Sequence, residues 1–143
     1  MGLDISHGAW RGAYSAFSRW RDELAEAADY YIPKLDPEEQ NGRKLVCIDW
    51  ARWPMDGYYD PPYIPCRIDG TPDPLLLLVA HSDCEGIIQH RFLDALANRL
   101  EELLPRVDGV EGFGHIGDYG DKTRTFIEGL RRAIEAGEDL EFH

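Results

Sequence analysis

The stretch His81-Ser82-Asp83-Cys84-Glu85-Gly86 concentrates an imidazole, two carboxylates and a thiol, groups that move protons or hold metal ions. His81, Cys84 and the nearby His90 carry donors suited to zinc, with Asp83 or Glu85 as a further ligand or as a base. A zinc signature joins two closely spaced ligand couples, and only one such couple is present. A calcium loop fails by register. With Gly86 in the sixth place, the first falls on His81 and the twelfth on Phe92, where the ion needs oxygen ligands. Cys84 stands near the expected start of a helix, a position that favours a thiolate nucleophile, but the signature of a thiol enzyme is missing. The alternative is purely structural: Ser82 or Asp83 caps the next helix, Gly86 permits the turn and Cys84 is a small buried residue.

A second histidine loop, Ser6-His7-Gly8, lies between a short apolar start and an aromatic segment holding Trp10 and Tyr14. If the strands leading into His7 and His81 are neighbours, their ends bring both histidines into one pocket, flanked by Trp10 and Tyr14. The competing reading makes these aromatics part of a buried helical stripe. Gly112-Phe113-Gly114-His115-Ile116-Gly117 matches the dinucleotide-binding glycine pattern letter by letter, yet no strand precedes it and no ribose-binding acid follows. As a ligand loop the segment retains interest. His115, Asp118 and Tyr119 precede Lys122 and Arg124, so backbone amides and positive charge meet near a helix N-terminus, where anions bind. The alternative pairs both cations with the abundant carboxylates.

The elements that must position these residues follow from periodicity. Trp10, Tyr14, Phe17, Trp20, Leu24, Ala28 and Tyr31 predict a helix over about 9–31, ended by Pro33. Lys44–Trp50 reads as a buried strand, and Ala51–Pro65, rich in proline, tryptophan and tyrosine, as an aromatic loop. Cys66–Ile68 reads as a short edge strand before the Asp69-Gly70 turn, and the all-apolar Leu75–Ala80 as a strand. Ile88, Phe92, Leu96, Leu100 and Leu103 mark a second helix stopped by Pro105. Phe126, Ile127, Leu130, Ala133 and Ile134 mark a third, with Asp121 as N-cap and Gly137 as stop. Leu140 and Phe142 alternate as in a last strand.

Composition bounds the function. The 143 residues, 43% of them hydrophobic, fit one domain with a sizeable core. A net charge of -12 argues against duplex nucleic acid as partner, because phosphate backbones are bound by basic surfaces. Three cysteines, Cys47, Cys66 and Cys84, leave at least one unpaired and fit a reducing cytoplasm. Neither a basic leader nor an apolar run long enough for a bilayer is seen, so secretion and membrane insertion are not expected.

The blocks Gly2-Leu3-Asp4-Ile5-Ser6-His7 to Arg21, His81 to Gly86 and Asp121 to His143 resemble a family of small uncharacterised proteins of bacteriophages and bacteria. This chain departs from the family pattern at Gly8-Ala9, where Asp-Cys is usual, and at Glu85, where Asp is frequent. The resemblance implies a phage or prophage setting and no particular activity. The expectation is therefore a single α+β domain, a small mixed sheet of four to five strands packed with three helices. Its ligand-binding set is His7, Trp10, Tyr14, His81, Asp83, Glu85, His115 and Arg124, with no metal ligand and no cofactor assigned. The function expected is binding or sequestration of a small nucleotide-like molecule, aromatics stacking on the base and cationic groups meeting phosphate. Two other classes compete: a small hydrolase, metal-dependent or working by histidine and carboxylate, and an acidic inhibitor of a host protein, acting as a monomer or a homo-oligomer.

Overall fold

Leu3 and Ile5 flank the exposed Asp4, and Leu140 and Phe142 flank the exposed Glu141, so each of these short segments buries one face of a pleated strand. A computed structural model of the chain describes residues 2–30, 59–110 and 118–143. In it β1 (Leu3–Ile5) is followed by a 3-10 turn at Ser6–Gly8, β2 (Trp10–Gly12), α1 (Tyr14–Ala27) and the single-turn α2 (Leu76–Val79). β3 (Gly86–Ile88), α3 (His90–Val107), α4 (Tyr119–Ala136) and β4 (Leu140–Phe142) complete the described elements. The strands form one sheet in the order β2-β1-β4-β3. The class is α+β, as expected, and every pairing among the described residues is antiparallel, where a mixed sheet was expected. A tight turn joins β1 to β2, and among the described residues no crossover helix returns a strand parallel to its neighbour.

Three further expectations need correction. Leu75–Ala80 is not a strand. Asp73 Oδ1 accepts the Leu75 N–H at 3.0 Å, Pro74 supplies the helical φ, and a helical turn buries Leu75, Leu76, Leu77 and Leu78 completely. Trp10 belongs to β2, not to the first helix. Extended backbone at Ala13 separates it from α1, whose buried stripe is Phe17, Trp20, Leu24 and Ala25. The third long helix is capped by Asp118, not Asp121: Asp118 Oδ1 accepts the Gly120 N–H at 2.6 Å.

The second long helix runs past Pro105 to Val107, because a proline in the last turn forfeits only one helical hydrogen bond. Gly137 ends α4 in the left-handed conformation, φ 70°, as its sequence position predicts. Cys66 bridges Pro72 across the Asp69-Gly70 turn, a single bridge instead of a strand. The expected strand at 44–50, the first part of the aromatic loop and the glycine-rich segment with His115 lie outside the described residues.

One core lies between the sheet and the three long helices. Trp10 stacks on Trp20 with centroids 5.3 Å apart, Trp20 meets Phe126 at 4.9 Å, and Phe17 reaches Phe142 of the sheet at 6.2 Å. The buried Trp20 indole donates to Thr123 Oγ1 at 3.0 Å, which fixes α1 against α4. Among the described residues no helix is long and apolar enough to cross a membrane.

Candidate functional site

His81 is 2% exposed, and its ring stacks on Phe142 with centroids 4.1 Å apart. Nδ1 lies 2.9 Å from the Ser82 carbonyl; Nε2 lies 2.8 Å from the Ile87 carbonyl and 3.1 Å from that of Tyr59. Both nitrogens thus face backbone oxygens. Burial pushes the imidazole pKa below its usual value, against the pull of the three carbonyls. The ring works as a latch. The Tyr59 carbonyl also accepts the Ile87 N–H at 2.8 Å, and it approaches Gly86 so closely that a β-carbon there would overlap it. Ser82 Oγ accepts the N–H groups of Cys84 and Glu85, both at 3.3 Å, so it shapes this turn and does not cap the next helix. Asp139 caps that helix, accepting the His90 N–H at 2.6 Å. Asp83 is half-buried and Glu85 exposed.

His7 sits in a different network. Its Nδ1 lies 3.0 Å from Ser6 Oγ and its Nε2 3.1 Å from Glu138 Oε1, while Ser6 Oγ also accepts the Glu141 N–H at 2.9 Å. The two histidine loops therefore engage different partners: His81 holds Tyr59 to β3, and His7 holds the β1–β2 turn to the segment between α4 and β4. Trp10 and Tyr14 do not flank a shared pocket. Trp10 is buried in the core with the Lys122 ammonium 5.1 Å from its ring centre, and Tyr14 packs against that core. Arg124 is engaged by Asp108 at 2.5 Å and Asp121 at 2.9 Å, which is the carboxylate pairing weighed above. Among the described residues no group of three or more histidine, cysteine or acidic side chains is arranged to hold a metal ion.

The most concentrated set of fixed polar groups lies elsewhere. Asp73 is 4% exposed and receives four hydrogen bonds: Arg99 Nε at 3.0 Å, Arg99 Nη2 at 3.2 Å, Tyr30 Oη at 2.6 Å and the Leu75 N–H at 3.0 Å. Burial opposes the Arg99 charge, yet its bonds to Asp73 more than offset this and hold the guanidinium pKa above its usual value. Burial, then the Asp73 hydrogen bond and charge, push the Tyr30 phenol well up. Arg67 lies close by, paired to Asp69 through Nη2 at 2.7 Å on the turn whose Thr71 N–H also reaches Asp69, at 2.9 Å. Between this turn and α3 opens a cleft of about 300 Å³, lined by Arg67, Thr71, Asp73, Arg99 and Glu102 together with Pro72 and Pro74. The sequence reading passed over every charged member of it. The Asp73-Pro74 pair before four leucines was the available signal, since Asp followed by Pro marks a helix start.

No protein-family model, no curated protein and no solved structure matches the chain.

Proposed function

We propose that the chain is a small-ligand-binding protein, and that a nucleotide-like molecule occupies the Arg67–Arg99 cleft. The observation that carries this reading is the pair of guanidiniums on its wall, Arg67 held by Asp69 and Arg99 held by Asp73 and Glu102, so that little rotamer freedom is lost on binding. Neither guanidinium exhausts its donors on these partners. Two cations among the carboxylates of Asp69, Asp73 and Glu102 suit a ligand with both an anionic group and hydroxyls, as a nucleotide has: phosphate to the arginines, hydroxyls to Glu102 and Thr71. In the phage or bacterial setting that the resemblance implies, such a protein would sequester a signalling nucleotide.

Calorimetry with purine and pyrimidine nucleoside mono- and diphosphates tests the reading. Binding by at least one nucleotide is expected, weakened about ten- to a hundredfold in Arg67→Ala, the loss of a charge-assisted hydrogen bond worth about 1.5–3 kcal/mol. Arg67 is the informative position, because its removal leaves the buried Asp73–Arg99 pair intact. A wild-type protein that binds none of the panel overturns the proposal.

A further inference from the structure

The turn between β1 and β2 holds an arrangement that the cleft does not use. Ser6 Oγ, His7 and Glu138 form a continuous line: hydroxyl to Nδ1 at 3.0 Å, Nε2 to carboxylate at 3.1 Å. We propose that this line is a nucleophile–base–carboxylate relay, and that Ser6 is acylated by small, uncharged esters.

The order of hydrogen bonds sets the direction of proton transfer. The Glu138 carboxylate accepts only, so Nε2 carries the imidazole proton and Nδ1 is left as the acceptor facing Ser6. The Glu141 N–H occupies one lone pair of Ser6 Oγ at 2.9 Å, which aims the hydroxyl hydrogen at Nδ1 and leaves a second lone pair for attack. The backbone is built to hold this geometry. His7 adopts the left-handed conformation at φ 61°, ψ 20°, uncommon for any residue with a side chain and of a kind that gathers at functional sites. Arg132 Nε donates to the His7 carbonyl at 2.8 Å, and Ala9 lies against Gly129 so tightly that a β-carbon on the glycine would stand 2.5 Å from it. Both Ser6 and His7 are half-buried.

In the reaction, Oγ bonds to the ester carbonyl carbon as its proton passes to Nδ1, and Glu138 stabilises the imidazolium that forms. The Arg132 guanidinium supplies positive charge beside the same turn for the developing oxyanion. Collapse breaks the bond to the alcohol, which leaves with the proton from Nδ1. Water then attacks the acyl-serine through the same base and releases the acid. Glu138 and Glu141, both exposed beside this turn, repel anionic substrates, which is why the substrate class is uncharged.

The test uses the full chain and a fluorophosphonate probe, with the adduct located by peptide mass spectrometry. One adduct on Ser6 is expected. His7→Asn keeps a residue that tolerates the left-handed turn but removes the base, and its labelling should slow by about 10²-fold or more. Glu138→Gln, at an exposed position, should slow labelling to an intermediate rate. No adduct on Ser6 in the folded wild type, or Glu138→Gln labelling at the wild-type rate, overturns the proposal. Neither result bears on the cleft, whose readout is nucleotide binding.

Discussion

Asp73 is satisfied by charge, phenol and backbone together, so its partners are not equivalent. Arg99→Ala leaves a buried carboxylate without its cation and should destabilise the fold by about 3–5 kcal/mol. Tyr30→Phe removes one hydrogen bond and should cost about 1–3 kcal/mol. Urea unfolding of both variants gives the comparison, and an Arg99→Ala loss no larger than that of Tyr30→Phe would show that the pair is not the support described. His81 makes a second case at this scale. Its native pKa lies below that of the unfolded chain, about 6.5, so between the two values the unfolded state binds more protons. The His81 contribution is therefore complete above pH about 6.5 and declines as pH falls toward the native value. NMR titration of the His81 imidazole should give a midpoint below that of the unfolded chain; a midpoint at or above it would show that the carbonyls outweigh burial.

At the scale of elements, Gly129 separates two physical effects of opposite sign. Helix propensity alone makes Gly→Ala stabilising by about 1 kcal/mol in a helix interior. Here the new β-carbon would meet Ala9, backbone included, at 2.5–2.8 Å, and overpacking of this kind costs about 1–3 kcal/mol. Gly129→Ala should lower the melting temperature, and a rise would mean that the β1–β2 turn yields easily. The same elements show what could be read from the sequence. α3 and α4 carry long three- and four-residue periodicities, which few other folds of the chain could bury, and both were legible, as was β4 from two alternating residues. The run Leu75–Ala80 carries no period at all, because its four leucines are all buried, and periodicity cannot tell such a strand from such a helix. Trp10 matched the α1 stripe by spacing alone, while Gly12 and Ala13 broke the helix before it. The candidate sites were least legible. His81 stood out in the sequence as a candidate ligand contact, but its partners are main-chain oxygens, which leave no signature in side-chain types. Asp73 meets Tyr30 and Arg99 across separations of 43 and 26 residues, which no local pattern encodes.

For the whole molecule, the net charge of -12 acts collectively, whereas its ion pairs mostly sit at the surface and individually contribute about 0–1 kcal/mol. Screening should relieve more repulsion than it removes attraction, so the melting temperature should rise between 0.05 and 0.5 M sodium chloride, salt levels spanning Debye lengths from roughly 14 to 4 Å. A fall would assign the ion pairs the larger share. The position of β4 has a consequence in time. It lies between β1 and β3, so Ile5 and Gly86 are held in one sheet only through Phe142. During synthesis the β1–β2 hairpin emerges first and β3 well after it, yet neither has its neighbour until residues 140–142 leave the ribosome. Until then one edge of β1 stays unpaired, a template for the wrong partner, and closure requires the slow meeting of sequence-distant segments. The sheet that joins Ile5 to Gly86 thus closes only once residues 140–142 have been made.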